Sequence, residues 1–229
     1  MSLKPKKKSD LKKIEAKMKA KESKMNTRTM LPPYTMIISE GIKTEPIYLR
    51  GFVSRINARY KDITKENHIS VYGTGRNTNG LIRFVDKKIA HNEWKKYQKF
   101  WLVYDKDDFP LDNFDNTQFE AESRTDISMA VAWSNESVEL WFLLHFQEYI
   151  SDNGRAQYIE LLNKYFDYSK TREELYDKLL ELGSYEAAKR RAKKAYKECL
   201  DAGINAPSAM VPVTRMFELV EELESYLEA

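Results

Sequence analysis

Glu40, Asp105 and Asp107 are the residues of this chain best suited to do chemistry. Each follows an apolar run. Thr35-Met36-Ile37-Ile38-Ser39 leads into Glu40-Gly41, and Phe100-Trp101-Leu102-Val103-Tyr104 leads into Asp105-Lys106-Asp107-Asp108. On an extended segment alternate side chains point the same way, so Asp105 and Asp107 are expected on one side. Carboxylates brought together repel one another unless a cation sits between them. Mg²⁺ takes hard oxygen ligands and keeps several waters, so two or three carboxylates plus a phosphate satisfy it. Mn²⁺ accepts the same donors. Such an ion polarises a phosphate and activates a water. A lone Asp-x-Asp is a weak signal, because acids at strand ends also serve turns and caps. Two apolar strands that both end in acids form a rarer combination.

Other acids lie close to these in pattern. Glu45 is the second acid of the Glu-Gly-x-x-Thr-Glu stretch; it reads as a further metal ligand or as a favourable charge at a helix N-terminus. Glu139 reads as part of the site, acting on a water, or as a surface carboxylate of an amphipathic helix. Lys43 and Lys106 stand beside the acids and could balance phosphate charge, although solvated lysines are the commoner outcome. His145, within an apolar helix, reads as a satisfied, partly buried histidine. Gly73-Thr74-Gly75-Arg76 resembles a phosphate-cradling turn but lacks the Walker Gly-Lys-Ser/Thr, so no nucleotide hydrolysis is expected of this chain. Phe109 argues against an Asp-nucleophile phosphatase of the Asp-x-Asp-x-Thr/Val type, and an EF-hand loop lacks its Gly and Glu.

The elements that must position these residues alternate in type. Strands are predicted at 35–39, 68–72, 100–104 and 127–133, the last stopped at Ser134-Asn135. Helices are predicted from Glu45 to about Tyr60, with Thr44 as N-cap, from Leu81 to about Trp94, and from Glu136 to about Gln147. This alternation argues for an α/β fold with a mostly parallel sheet flanked by helices. In such a sheet the carboxyl ends of the strands share one edge, where ligands bind. Beyond Tyr149 no further strand is predicted, and residues 154–168, 171–182, 184–201 and 212–228 read as helices. The expected organisation is a basic N-terminal arm over 1–30, helical or disordered, an α/β domain over 31–150 and a helical C-terminal region over 151–229.

Composition narrows the setting. The 229 residues include one cysteine and three histidines, which nearly excludes an internal disulfide or a Cys/His zinc site. No apolar run is long enough to span a bilayer, and the basic N-terminus has no apolar signal core. A cytoplasmic location is expected. The net charge of +3 hides an asymmetry: residues 1–30 carry +8 and the remainder −5. A basic arm on an acidic body suits contact with nucleic acid, or is a solvated tail. The helix around Lys189-Arg190-Arg191-Ala192-Lys193-Lys194 and Lys197 poses the same choice.

Three motifs resemble the RloB family: Met36-Ile-Ile-Ser-Glu-Gly-Ile-Lys-Thr-Glu-Pro-Ile-Tyr48, Val103-Tyr-Asp-Lys-Asp-Asp-Phe-Pro110 and Ala132-Trp-Ser-Asn-Glu-Ser-Val-Glu-Leu-Trp-Phe-Leu-Leu-His-Phe146. The resemblance covers about residues 34–150 and continues more loosely towards Pro207. RloB-like proteins look like Toprim relatives, so the resemblance implies a Toprim-like fold with Glu40, Asp105 and Asp107 as metal ligands. It implies a Mg²⁺-dependent (or Mn²⁺-dependent) nuclease cutting DNA or RNA in anti-phage defence, near restriction–modification loci and with an ATPase partner. The alternative is a non-catalytic module that binds nucleic acid or a partner within a defence complex. One departure stands out. Many relatives have Asn-Pro-x-Phe-Glu-Leu-Trp in the third motif, whereas here Glu136 replaces the Pro. That puts a fixed role for Glu136 in doubt, and for Glu139 less so.

Overall fold

The computed structural model describes residues 31–107 and 113–228. The basic arm over 1–30 therefore lies outside the described residues, as does the end of the second motif from Asp108 to Pro110. Four strands form the parallel part of one sheet: β1 (Thr35–Ser39), β2 (Ile69–Gly73), β3 (Lys99–Asp105) and β4 (Ser128–Asn135). A two-residue strand, β5 (Val213–Thr214), adds antiparallel to β4 and gives the order β2-β1-β3-β4-β5. The apolar runs of β1 and β3 make them central strands. A strand covered on both faces needs continuous rather than alternating hydrophobicity, and every residue of β1 is buried.

The helices among the described residues are α1 (Thr44–Tyr60), α2 (Thr78–Ala90), α3 (Phe114–Glu122), α4 (Glu139–Leu144), α5 (Gly154–Leu162), α6 (Leu175–Leu182), α7 (Tyr185–Asp201) and α8 (Met216–Glu228). On one face of the sheet, Met36, Ile38, Phe100, Leu102, Tyr104, Val131 and Trp133 pack with Leu81 and Val85 of α2 and Phe114 of α3. Strand alternation sends Trp101, Val103 and Asp105 to the other face. There Trp101 Nε1 donates to Glu222 of α8 at 3.2 Å. On the α1 side, Trp141 Nε1 of α4 donates to Tyr48 Oη of α1 at 2.7 Å, and both residues are fully buried.

Several sequence expectations are corrected. Helix α1 begins at Thr44, with Lys43 in the cap position, and Thr44 Oγ1 instead donates to the carbonyl of Lys170 at 3.1 Å. Helix α4 starts at Glu139 rather than Glu136, because the chain first turns back after β4. Helices α5 and α6 are shorter than expected. Helix α3 has no counterpart in the sequence reading. Its buried positions are Phe114, Thr117, Gln118 and Ala121, so polar side chains dilute the apolar period. Gln118 is buried because its Oε1 accepts from Trp133 Nε1 at 2.6 Å. Strand β5 was also unforeseen. Two residues cannot show a period, and its place is set by Ser134 Oγ and Thr214 Oγ1, 2.9 Å apart. Pro32–Glu228 form one compact unit, so the C-terminal helices and β5 share a body with the sheet. No helix among the described residues is long and apolar enough to cross a membrane.

Candidate metal centre

Five acids from four places in the chain line one cleft of about 250 Å³: Glu40, Glu45, Asp105, Asp107 and Glu139. The cleft opens at the carboxyl ends of β1 and β3, where an open parallel sheet places its ligands. Local structure explains each position. Glu40 N donates to Val103 O at 2.9 Å, tying the end of β1 to β3, and Thr78 Oγ1 donates to Glu40 Oε2 at 3.3 Å. Gly41 is small for a reason. A Cβ there would stand 2.2 Å from Glu45 Oε2, so the buried Glu45 carboxylate lies directly against the Gly41 backbone. The Glu-Gly pair thus places Glu40 and leaves room for Glu45.

The Asp-x-Asp pair arrives by a route the sequence did not suggest. Strand β3 ends at Asp105, and Asp107 has φ 46, in the left-handed region. Strand alternation therefore does not relate the two carboxylates. Asp tolerates this conformation better than most residues. The turn is held by Lys106 N, which donates to Ser134 O at 2.9 Å, and by Asp107 N, which donates to Glu136 O at 3.3 Å. The Asn135–Glu136 peptide just before the second acceptor is cis.

Two cations that the sequence reading missed stand among the acids. Arg155 Nη2 lies 3.1 Å from Asp105 Oδ2 and 2.5 Å from Asp107 Oδ1, and its Nε lies 3.5 Å from Glu139 Oε2. Lys170 Nζ lies 3.6 Å from Glu139 Oε1, which also accepts from Tyr168 Oη at 3.1 Å. Neither cation sits in a motif; Arg155 follows a helix-starting glycine and Lys170 lies in a loop. Only tertiary structure brings them to the acids. Of the flanking lysines, exposed Lys43 lines the cleft, while Lys106 Nζ donates to Asp107 O at 3.4 Å. Glu136 turns to the start of α5, where its Oε2 accepts from Arg155 N at 3.0 Å. That is a structural task, since a carboxylate at a helix N-terminus meets unpaired N–H groups.

The electrostatics match this crowding. Burial, with Glu45 and Glu139 adding to it, pushes the Asp105 carboxyl well above the usual carboxylate range, against the pull of Arg155. Burial also raises Glu45, and Glu139 adds to the shift. Burial alone would make Arg155 a weaker base, but Asp105, Glu139 and Asp107 outweigh it and hold its proton more tightly than usual. Glu139 is 1% exposed, and among the described residues nothing donates a hydrogen bond to its Oε2. A buried carboxylate oxygen without a donor is costly, so this atom needs the positive charge that the cleft brings near it.

These residues fit a hard divalent cation by donor type: all five are carboxylates, and one buried oxygen lacks a hydrogen-bond donor. Among the described residues, no group of three or more His, Cys, Asp or Glu side chains is already gathered in a geometry that could hold a metal ion. Arg155 supplies the local positive charge instead.

Elsewhere, three of the six basic residues of α7 are paired with acids. Lys189 pairs with Glu186 and Glu224, Lys193 with Glu221, and Lys194 with Glu148. His145 is 3% exposed, with Nδ1 2.9 Å from the Trp141 carbonyl, in keeping with a core role.

Fold and cleft together define an α/β protein with a mostly parallel sheet and an acid-lined site at its carboxyl edge. The chain belongs to the RloB family: the family described as RloB-like protein matches residues 35–223. No curated protein and no solved structure matches the chain.

Proposed function

We propose that this chain is a divalent-metal-dependent nuclease with a Toprim-like core, acting on DNA or RNA in anti-phage defence with an ATPase partner. The observation that carries this reading is the shared cleft of Glu40, Glu45, Asp105, Asp107 and Glu139, with the buried Glu139 Oε2 left without a hydrogen bond. Glu40, Asp105 and Asp107 would hold Mg²⁺ or Mn²⁺, with Glu45 a further ligand. Such an ion, when bound, supplies Lewis acidity towards a phosphate oxygen and a more acidic water. Glu139 is the group for proton transfer, because it lines the cleft and no described residue donates a hydrogen bond to its Oε2. Lys43 and Lys170 line the same cleft and offer positive charge to a phosphodiester.

The direct test incubates plasmid, single-stranded DNA and tRNA with the chain in Mg²⁺ or Mn²⁺, beside Asp105→Asn and Asp107→Asn. Cleavage is expected from the wild type only, and it should stop on chelation. Equal cleavage by all three proteins removes these acids from the reaction. A second reading, the non-catalytic module, draws on Arg155, which already balances three of the acids. It wins if neither ion shifts the melting temperature and nothing is cut even with the ATPase partner present.

A further inference from the structure

We propose that Arg155 is the built-in counter-cation of the acid cleft, and that a divalent ion enters only as its guanidinium withdraws. The inference rests on the metal-site reading above and names how that site is controlled. One nitrogen, Nη2, serves Asp105 and Asp107 together, while Nε faces Glu139. The guanidinium therefore lies among three acids of the cleft. Both cannot occupy that space, since a metal ion beside an undisplaced guanidinium would meet like charge a few ångströms away.

The contact with Glu139 is incomplete. Among the described residues, Arg155 Nε is buried yet makes no hydrogen bond, and Glu139 Oε2 opposite it makes none either. An arginine built only to cement a fold would use its planar fork for paired hydrogen bonds to carboxylate. The side chain retains 29% exposure, so an outward path exists. Its backbone is pinned. Arg155 N donates to Glu136 Oε2, and Gly154 has φ +72, a conformation L side chains rarely adopt. The start of α5 is thus a fixed pivot from which a long side chain can leave. Once outside the acids, the guanidinium stands at the cleft mouth as a bidentate partner for phosphate.

Calorimetric titration of the full chain with Mn²⁺, without nucleic acid, tests this against Arg155→Gln and Arg155→Lys. Arg155→Gln should bind Mn²⁺ about tenfold more tightly than wild type, because the competing charge is gone. Arg155→Lys, whose ammonium cannot bridge three acids, should fall between them. In the wild type, Mg²⁺ should shift the Arg155 Nε–H resonance, assigned through Arg155→Lys, and this readout does not depend on Arg155→Gln folding well. Equal Mn²⁺ affinity in all three proteins, or an unmoved Arg155 resonance at saturating Mg²⁺, overturns the proposal while leaving the metal site standing. Absence of Mn²⁺ binding in every protein overturns the metal-site reading as well.

Discussion

At the scale of single residues, the distinguishing feature is a carboxylate oxygen to which no described residue donates. Glu139 Oε1 is held by Tyr168 and approached by Lys170, whereas Oε2 has only the loose approach of Arg155. Replacing Glu139 with Gln keeps the shape and the Tyr168 contact but removes the basic oxygen. Cleavage by Glu139→Gln is expected to fall by about a hundredfold or more, the usual worth of a positioned proton acceptor. Single-turnover kinetics at saturating Mn²⁺ would check this, and an unchanged rate would exclude Glu139 from proton transfer. Glu40, Asp105 and Asp107 were legible in the sequence because each follows a strand with an unmistakable apolar run. Glu45 and Glu139 remained ambiguous there, because an acid at a helix N-terminus also suits the helix dipole and an acid on an amphipathic helix also suits its solvent face. Arg155 and Lys170 were not legible at all. Their relation to the acids is purely spatial, and no periodicity in the chain connects position 155 to positions 105 and 107.

At the scale of elements, the cleft depends on how helices meet the sheet edge. Gly154 opens α5 with positive φ and leaves space for the Glu136 carboxylate. Gly154→Ala is expected to cost about 1–2 kcal/mol from backbone strain alone, and the crowding of Glu136 adds to that. Urea unfolding would measure the loss. The wild-type value would show that the pivot of Arg155 tolerates a side chain. The junction of α1 with α4 makes a second case. Tyr48→Phe removes the acceptor of Trp141 Nε1 in a site closed to water. A stranded buried donor costs about 1–3 kcal/mol, and the same unfolding experiment should find a loss of that size. The strands were readable as elements because continuous hydrophobicity marks buried parallel strands. Helix α3 and strand β5 were not. One buries Thr117 and Gln118 among its few core contacts, and the other is specified by a partner strand distant in the chain.

At the scale of the whole molecule, acid should loosen the fold through a buried histidine. Burial takes His145 from its ordinary 6.5 to about 4. The folded state therefore favours the neutral ring. This preference contributes fully above pH 6.5 and is lost as pH falls towards 4, by about 3 kcal/mol in total. Melting temperature should fall across that window in the wild type and fall less in His145→Asn. Parallel profiles would assign the acid sensitivity to other groups. A divalent ion held at the proposed site would act in the opposite direction, since a ligand of the folded state stabilises it by mass action, by about 2.7 kcal/mol at a hundred times its dissociation constant. Mn²⁺ should raise the melting temperature and EDTA should reverse the rise.

The pairing of Val213 and Thr214 with β4 carries a consequence for the order of synthesis. Asn135 Nδ2 donates to the carbonyls of Pro207 and Ser208, and Thr214 reaches Ser134. The Ser134–Glu136 turn that these contacts clamp is the one whose carbonyls hold Lys106 and Asp107. A nascent chain exposes Glu40 and the two aspartates long before the clamp leaves the ribosome. The acids are thus translated early and locked late. A ribosome-arrested chain ending before Pro207 is expected to show no saturable Mn²⁺ binding, while release of the full chain restores it. A growing polypeptide so built leaves its acid cleft unfinished until the segment that pairs with β4 has been made.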